Sequence, residues 1–249
     1  MNNLKPKFDL ALNKFTDKHK KNRHVIAVLV TGSYIHSEPD KNSDLDVCIV
    51  VDESKTRERG NTWINGVEIE YFINPVKQVK HSFKTEIDSP QLAHMFANSK
   101  VIFKRNDVID DLIKEAKTIL KKPLKKMSNF QVENAKYHLD DFEKDLEDVF
   151  VKNDEFAFHY ISLEILLECI DLFYKLHRTQ KEKSKRLFKQ MTEIDPKFAQ
   201  LYSNVLNQID MQKKFNELKK IINYLEKLLG GKRTKEWKLK GKCSFENAS

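Results

Sequence analysis

Two textures of apolar and polar residues follow one another along this chain. Between Val25 and Lys104 the apolar residues come in short runs bounded by turn formers, as β-strands require: Val25 to Val30, Leu45 to Val51 and Val67 to Ile73. From Asp107 onward they recur every three or four residues, the period of helices that bury one face. Ahead of the strands, Phe8, Leu10, Leu12 and Phe15 predict an opening amphipathic helix over Lys7 to Lys21. Asn65-Gly66 is the strongest short hairpin signal, so Trp63-Ile64 is expected to pair antiparallel with Val67 to Ile73. A helix is predicted over Val76 to Ile87, with Pro75 in its first turn, and another from Ser89-Pro90 to Ala97. A short edge strand, Val101 to Lys104, leads to a helix cap at Asn106-Asp107.

Beyond that cap, helices are predicted over Val108–Lys121, Phe130–Val151, Glu155–His177, Lys183–Met191, Pro196–Asn207 and Met211–Leu229, the last stopped by Gly230-Gly231. The stretch from Tyr160 to Leu176 is apolar round much of its circumference, which makes it the expected central helix of a bundle. The absence of glycine between Gly66 and Gly230 suits a long helical region. The expected architecture is α+β: a mixed sheet with flanking helices over 1–106, an α-helical bundle over 107–230, and a basic tail over 231–249. The change of texture near Asp107 marks the expected domain boundary.

At 249 residues, 40% of them apolar, the chain can bury two cores, and its 33% charged residues are mixed in sign, so disorder is not expected. A net charge of +8 favours anionic partners such as a nucleoside triphosphate, RNA or an acidic surface. Part of the excess is the tail, where Lys232, Arg233, Lys235, Lys238, Lys240 and Lys242 outnumber Glu236 and Glu246; a solvated tail is favoured over a nucleic-acid arm. Cys48, Cys169 and Cys243 are odd in number and lack Cys-x-x-Cys spacing, and the first two sit in apolar surroundings, as core residues of a reduced, cytoplasmic protein do. The polar start is no signal peptide, and no apolar run approaches the ~18 residues of a membrane span, so no membrane partner is expected.

The candidate chemistry lies in Val30-Thr31-Gly32-Ser33-Tyr34 and Ser43-Asp44-Leu45-Asp46-Val47. Residues i and i+2 of a strand share a side, so Asp44 and Asp46 aim together while Leu45 and Val47 turn to a core. Paired carboxylates offer hard oxygen ligands suited to Mg²⁺, and a Gly-Ser turn offers N–H groups and a hydroxyl to phosphate. No P-loop and no Gly-x-Gly-x-x-Gly fingerprint occurs.

An apolar-Gly-Ser element, a loop of about ten residues, an Asp-x-Asp and then an acidic strand, Val67-Glu68-Ile69-Glu70-Tyr71, resemble the DNA polymerase beta-like nucleotidyltransferase superfamily. With the added helical half, the layout looks like that of the aminoglycoside and lincosamide nucleotidyltransferases. The resemblance implies metal binding at Asp44 and Asp46 with a third acid on the following strand, Glu70 in first place and Glu68 as the alternative. It implies two Mg²⁺ ions as cofactors, ATP or another nucleoside triphosphate as co-substrate, and Gly32 and Ser33 as nucleotide-binding residues. The implied reaction moves a nucleoside monophosphate, AMP from ATP in the first instance, to a hydroxyl of a small molecule such as an antibiotic. Residues 107–230 would then act as a substrate or lid domain. The alternatives are a protein- or RNA-directed nucleotidyltransferase of antitoxin type and a nucleotide-binding regulator without transfer activity.

Weaker candidates remain. Glu164, Glu168 and Asp171 form an acidic stripe at helical spacing, and Asp140 and Asp141 have the same status, a solvated face being the plainer explanation of each. Lys183, Lys185, Arg186 and Lys189 could meet a triphosphate or simply face solvent. His36 could touch a phosphate, Tyr34 is expected to pack, and Ser43 to bond within its loop.

Overall fold

The apolar run Val25–Thr31 is buried along its whole length as strand β1. In the computed structural model, which describes residues 4–36, 38–86 and 90–241, β1 pairs antiparallel with β2 (Leu45–Val51) on one side and β5 (Lys100–Lys104) on the other. With β3 (Glu58–Ile64) and β4 (Val67–Pro75) the sheet has the order β3-β4-β2-β1-β5. Among the described strands β2 and β4 are the one neighbouring pair that is parallel, so the sheet is mixed, and β5 forms one edge.

Asn65 and Gly66 both adopt positive φ, 54° and 68°, and join Ile64 directly to its partner Val67. Positive φ at both central residues defines a type I′ turn, whose twist matches that of the strands it links. The hairpin is longer than its apolar residues suggested: β3 reaches back to Glu58. An edge strand with mostly polar residues carries no apolar run to announce it.

Side-chain alternation divides the sheet between two layers. Leu45, Val47, Ile49 and Val51 pack against helix α1 (Lys5–His19) through Phe8, Leu12 and Phe15. Cys48 and Val50, with Ala27 and Leu29 of β1, face the opposite way. There α3 (Val76–Thr85), α4 (Gln91–Ala97) and α5 (Val108–Lys121) supply Val79, Phe83, Phe96, Ile109 and Leu112. Burying each such Val, Leu, Ile or Phe contributes roughly 1.5–3 kcal/mol, so both faces are strongly held. A four-residue helix, α2 (Ser33–His36), follows β1. Pro75 ends β4 and caps α3 instead of entering its first turn.

The chain divides into two compact units, residues 1–122 and 123–249. The division therefore falls one helix later than the change of texture at Asp107. The reason is α5, which is helical in pattern but buries Ile109, Leu112 and Ala116 on the sheet's α3–α4 side.

The second unit contains α6 (Asn129–Val151), α7 (Glu155–Leu176), α8 (Ser184–Ile194), α9 (Pro196–Asn207) and α10 (Met211–Leu228). Its core includes Leu139, Phe158, Cys169, Phe173, Phe198 and Ile222, with the rings of Phe173 and Phe198 stacked 4.1 Å apart. Helix α7 is not enclosed on all sides as its composition suggested, since Phe156, Tyr160, Leu163 and Leu167 are exposed along one face. Gly230 and Gly231 close α10 by bonding back to the carbonyls of Lys227 and Glu226, a Schellman arrangement.

Part of the segment after α10 is engaged, while Lys235, Lys238 and Lys240 are exposed as a solvated tail would have them. Lys232 pairs with Glu143 at 2.7 Å, Arg233 pairs with Asp140, and Trp237 stacks on Tyr137 at 5.2 Å. These charges are committed within the second unit. Lys242, Cys243 and Glu246 lie outside the described residues. Among the described residues, no helix is long and apolar enough to cross a membrane.

Candidate active site

Register aligns the acidic positions across neighbouring strands. Thr31 of β1 stands opposite Asp46 of β2, and Asp46 stands opposite Glu70 of β4. Asp44 lies just ahead of β2, not within it. One carboxylate oxygen from each of Asp44, Asp46 and Glu70 lies within 4.8 Å of the others, and all three residues are half-buried. Three carboxylates so close form a hard oxygen donor set, which fits Mg²⁺ or Mn²⁺. Glu68 is engaged differently: its Oε1 accepts a 2.8 Å hydrogen bond from Asn61. The geometry thus groups Glu70, and not Glu68, with the two aspartates.

The turn after β1 rests against this cluster. Gly32 has φ +80°, and a Cβ built there would overlap Asp46 Oδ2. Glycine is needed at position 32 both for its left-handed backbone and because the Asp46 carboxylate occupies the side-chain space. The close approach is therefore to an acid of the cluster, a reason the sequence did not disclose. Ser33 opens α2 and is exposed.

Helix α1 braces the turn through Tyr34. The buried Tyr34 hydroxyl donates to Asp9, while Lys5 Nζ donates to the Tyr34 carbonyl at 3.0 Å and lies 3.6 Å from the ring centroid. Burial, reinforced by the bond to the Asp9 carboxylate, pushes the phenol above its ordinary value. Tyr34 is thus a packing residue. Ser43 bonds locally, accepting from the Asp40 N–H at 2.9 Å and donating to its carboxylate at 3.1 Å. The side chain of His36 lies outside the described residues.

A depression of about 460 Å³ adjoins the acids, lined by Asp44, Arg59, Gly60, Asn61, Glu68 and Glu70. Three of its residues, Arg59, Gly60 and Asn61, are not among the sequence candidates. Arg59 donates to Glu70 Oε1 through both Nε, at 2.9 Å, and Nη2, at 2.6 Å. Continuing the ladder backward from the two-residue turn at Asn65-Gly66 would have paired Asn61 with Glu70 and brought Arg59 alongside.

The remaining candidates belong to the second unit. Asp171 is paired with Lys181, and Glu164 and Glu168 are half-buried on α7. Asp140 accepts from Lys144 and Arg233, while Asp141 is exposed beside it. Lys183, Lys185, Arg186 and Lys189 are exposed on or just before α8, with Lys189 3.9 Å from Glu193.

Comparison with known proteins adds three findings. The family model described as nucleotidyltransferase domain matches residues 11–233. A solved structure of a nucleotidyltransferase-like protein from Exiguobacterium sibiricum 255-15 is similar with a TM-score of 0.48 and 12% sequence identity, over 89% of this chain and 74% of that one. No curated protein matches the sequence.

Proposed function

The chain belongs to the nucleotidyltransferase domain family, and on that premise we propose that it transfers a nucleoside monophosphate, AMP from ATP in the first instance, to a hydroxyl of a small-molecule acceptor. The observation that carries this reading is the convergence of Asp44, Asp46 and Glu70 within 4.8 Å, beside a turn whose glycine cannot carry a side chain. Asp44, Asp46 and Glu70 would hold the divalent ions. Bound there, Mg²⁺ would supply positive charge to the attacking and leaving oxygens.

In this reaction the acceptor oxygen forms a bond to the α-phosphorus as the bond to pyrophosphate breaks. The hydroxyl proton passes to a carboxylate of the cluster, for which Glu70 is our candidate. The Gly32 and Ser33 N–H groups and the Ser33 hydroxyl would donate to the departing phosphates. Gly32 follows β1 on one side of Asp46, and the depression lined by Arg59, Asn61 and Glu68 opens on the β3 side. The triphosphate is accordingly assigned to the first side and the acceptor to the second. Aminoglycoside- or lincosamide-like antibiotics lead the candidate acceptors through the layout described from sequence, an analogy of fold and not of site.

The test incubates the protein with each nucleoside triphosphate, Mg²⁺, and a panel of aminoglycosides, lincosamides and cell extract, with mass spectrometry as the readout. A gain of one nucleotide on an acceptor, lost in Asp44→Asn and Asp46→Asn variants with unchanged circular dichroism, is expected. Turnover near the wild-type rate in either variant would refute the site assignment.

A further inference from the structure

Arg59 and Glu70 meet by construction of the hairpin. Asn61 stands opposite Glu70 and Arg59 opposite Phe72, so Arg59 is a diagonal neighbour on the same face of the ladder. Its guanidinium lies 5.1 Å from the Phe72 ring centroid, and both of its bonds to Glu70 end on Oε1. The two partners differ in freedom: the Arg59 side chain is 70% exposed and that of Glu70 only 29%. The arginine can move into water at small cost, whereas the glutamate stays with the cluster.

Three carboxylates within 4.8 Å repel one another when all are ionised. Glu68, the neighbouring acid on β4, is held by the neutral Asn61. A protein cation is therefore hydrogen-bonded to the very acid that completes the cluster. We infer that Arg59 is a built-in counter-cation: it holds Glu70 in place in the ion-free protein and competes with the divalent ion for Glu70, setting how tightly that ion binds. The inference rests on the metal-site reading above. Displaced or not, the guanidinium lowers the negative charge that an arriving ion meets. Arg59 is thus a positioning residue, acting through Glu70.

The test is a Mn²⁺ titration of the full chain, by calorimetry and by the electron paramagnetic resonance of free Mn²⁺, on wild type, Arg59→Gln, Arg59→Lys and Asp46→Asn. An exposed ion pair is worth about 0.2–1 kcal/mol, so removing the arginine charge should tighten Mn²⁺ binding by about 1.4- to 5-fold. Thermal unfolding gives a second readout: Mn²⁺ should raise the Tm of Arg59→Gln by more than that of wild type. Arg59→Lys, which keeps the charge, should bind close to wild type. Unchanged or weaker binding in Arg59→Gln, with binding still abolished in Asp46→Asn, would overturn the role of Arg59 and leave the acids as the metal site. Tightening of equal size in Arg59→Lys would overturn the charge argument. Absence of Mn²⁺ binding in both wild type and Arg59→Gln would overturn the reading of the acids themselves.

Discussion

Replacing Gly32 with alanine should damage the site while leaving the chain folded. At φ +80° an L-residue costs roughly 1–2 kcal/mol relative to glycine. The new methyl would also overlap Asp46 Oδ2, and turning that carboxylate out of its favoured rotamer costs about 1 kcal/mol more. The sum, about 2–3 kcal/mol, is below the 5–15 kcal/mol by which domains are usually stable, so Gly32→Ala should still fold. Urea denaturation followed by circular dichroism would read this as a midpoint lowered by roughly 1 M, given slopes of about 1–3 kcal/mol per molar. The same samples titrated with Mn²⁺ should show affinity reduced at least about tenfold, because a misplaced ligand forfeits at least about 1.4 kcal/mol. Stability and Mn²⁺ affinity both equal to wild type would refute the packing argument. A stability loss without any loss of Mn²⁺ affinity would refute the link between the turn and the acids.

Other outcomes are expected from the same structure. Tyr34→Phe removes the bond to Asp9 and leaves that carboxylate unpaired, so urea denaturation should show a loss of about 1–2 kcal/mol and nucleotide binding should weaken. Cys48, its thiol pushed up to about 12 by burial, and the equally buried Cys169 should resist a disulfide reagent until denaturant is added. The segment after α10 should loosen in acid. The bond from Lys144, followed by that from Arg233, holds the Asp140 carboxyl below its ordinary 3.8. Its contribution is therefore complete above 3.8 and is lost as pH falls through the lower folded value. Glu226, raised above 4.5 by burial, works in the opposite sense and does not release the segment in acid. In a Trp63→Phe background, Trp237 fluorescence should stay level down to pH 3.8 and change only below it. A change near neutral pH would contradict the assignment to Asp140.

The strands with continuous apolar residues and the helices with a clear period were legible in the sequence, because burial of side chains fixed both. The hairpin was legible through Asn65-Gly66, whose backbone freedom is a local property. What escaped was set by neighbours. Strand β3 beyond Trp63 is held by ladder bonds to β4 and not by apolar residues, so only extending the ladder back from the Asn65-Gly66 turn could have brought Arg59 and Asn61 to the site. The choice between Glu68 and Glu70 stayed open for a related reason: both share a face, and only pairing with Asp46 separates them. Helix α5 looked like the start of the helical half because periodicity reports that a face is buried, but not against what. The pairing of Lys232 and Arg233 with acids on α6 spans a sequence distance that composition cannot see.

The most direct test of the metal-site proposal is an anomalous-difference map from crystals grown with Mn²⁺ and a non-hydrolysable ATP analogue. Manganese peaks are expected among the carboxylates of Asp44, Asp46 and Glu70, with the triphosphate against Gly32 and Ser33. Manganese bound elsewhere, with those three side chains uncoordinated and the analogue away from the turn, would contradict it.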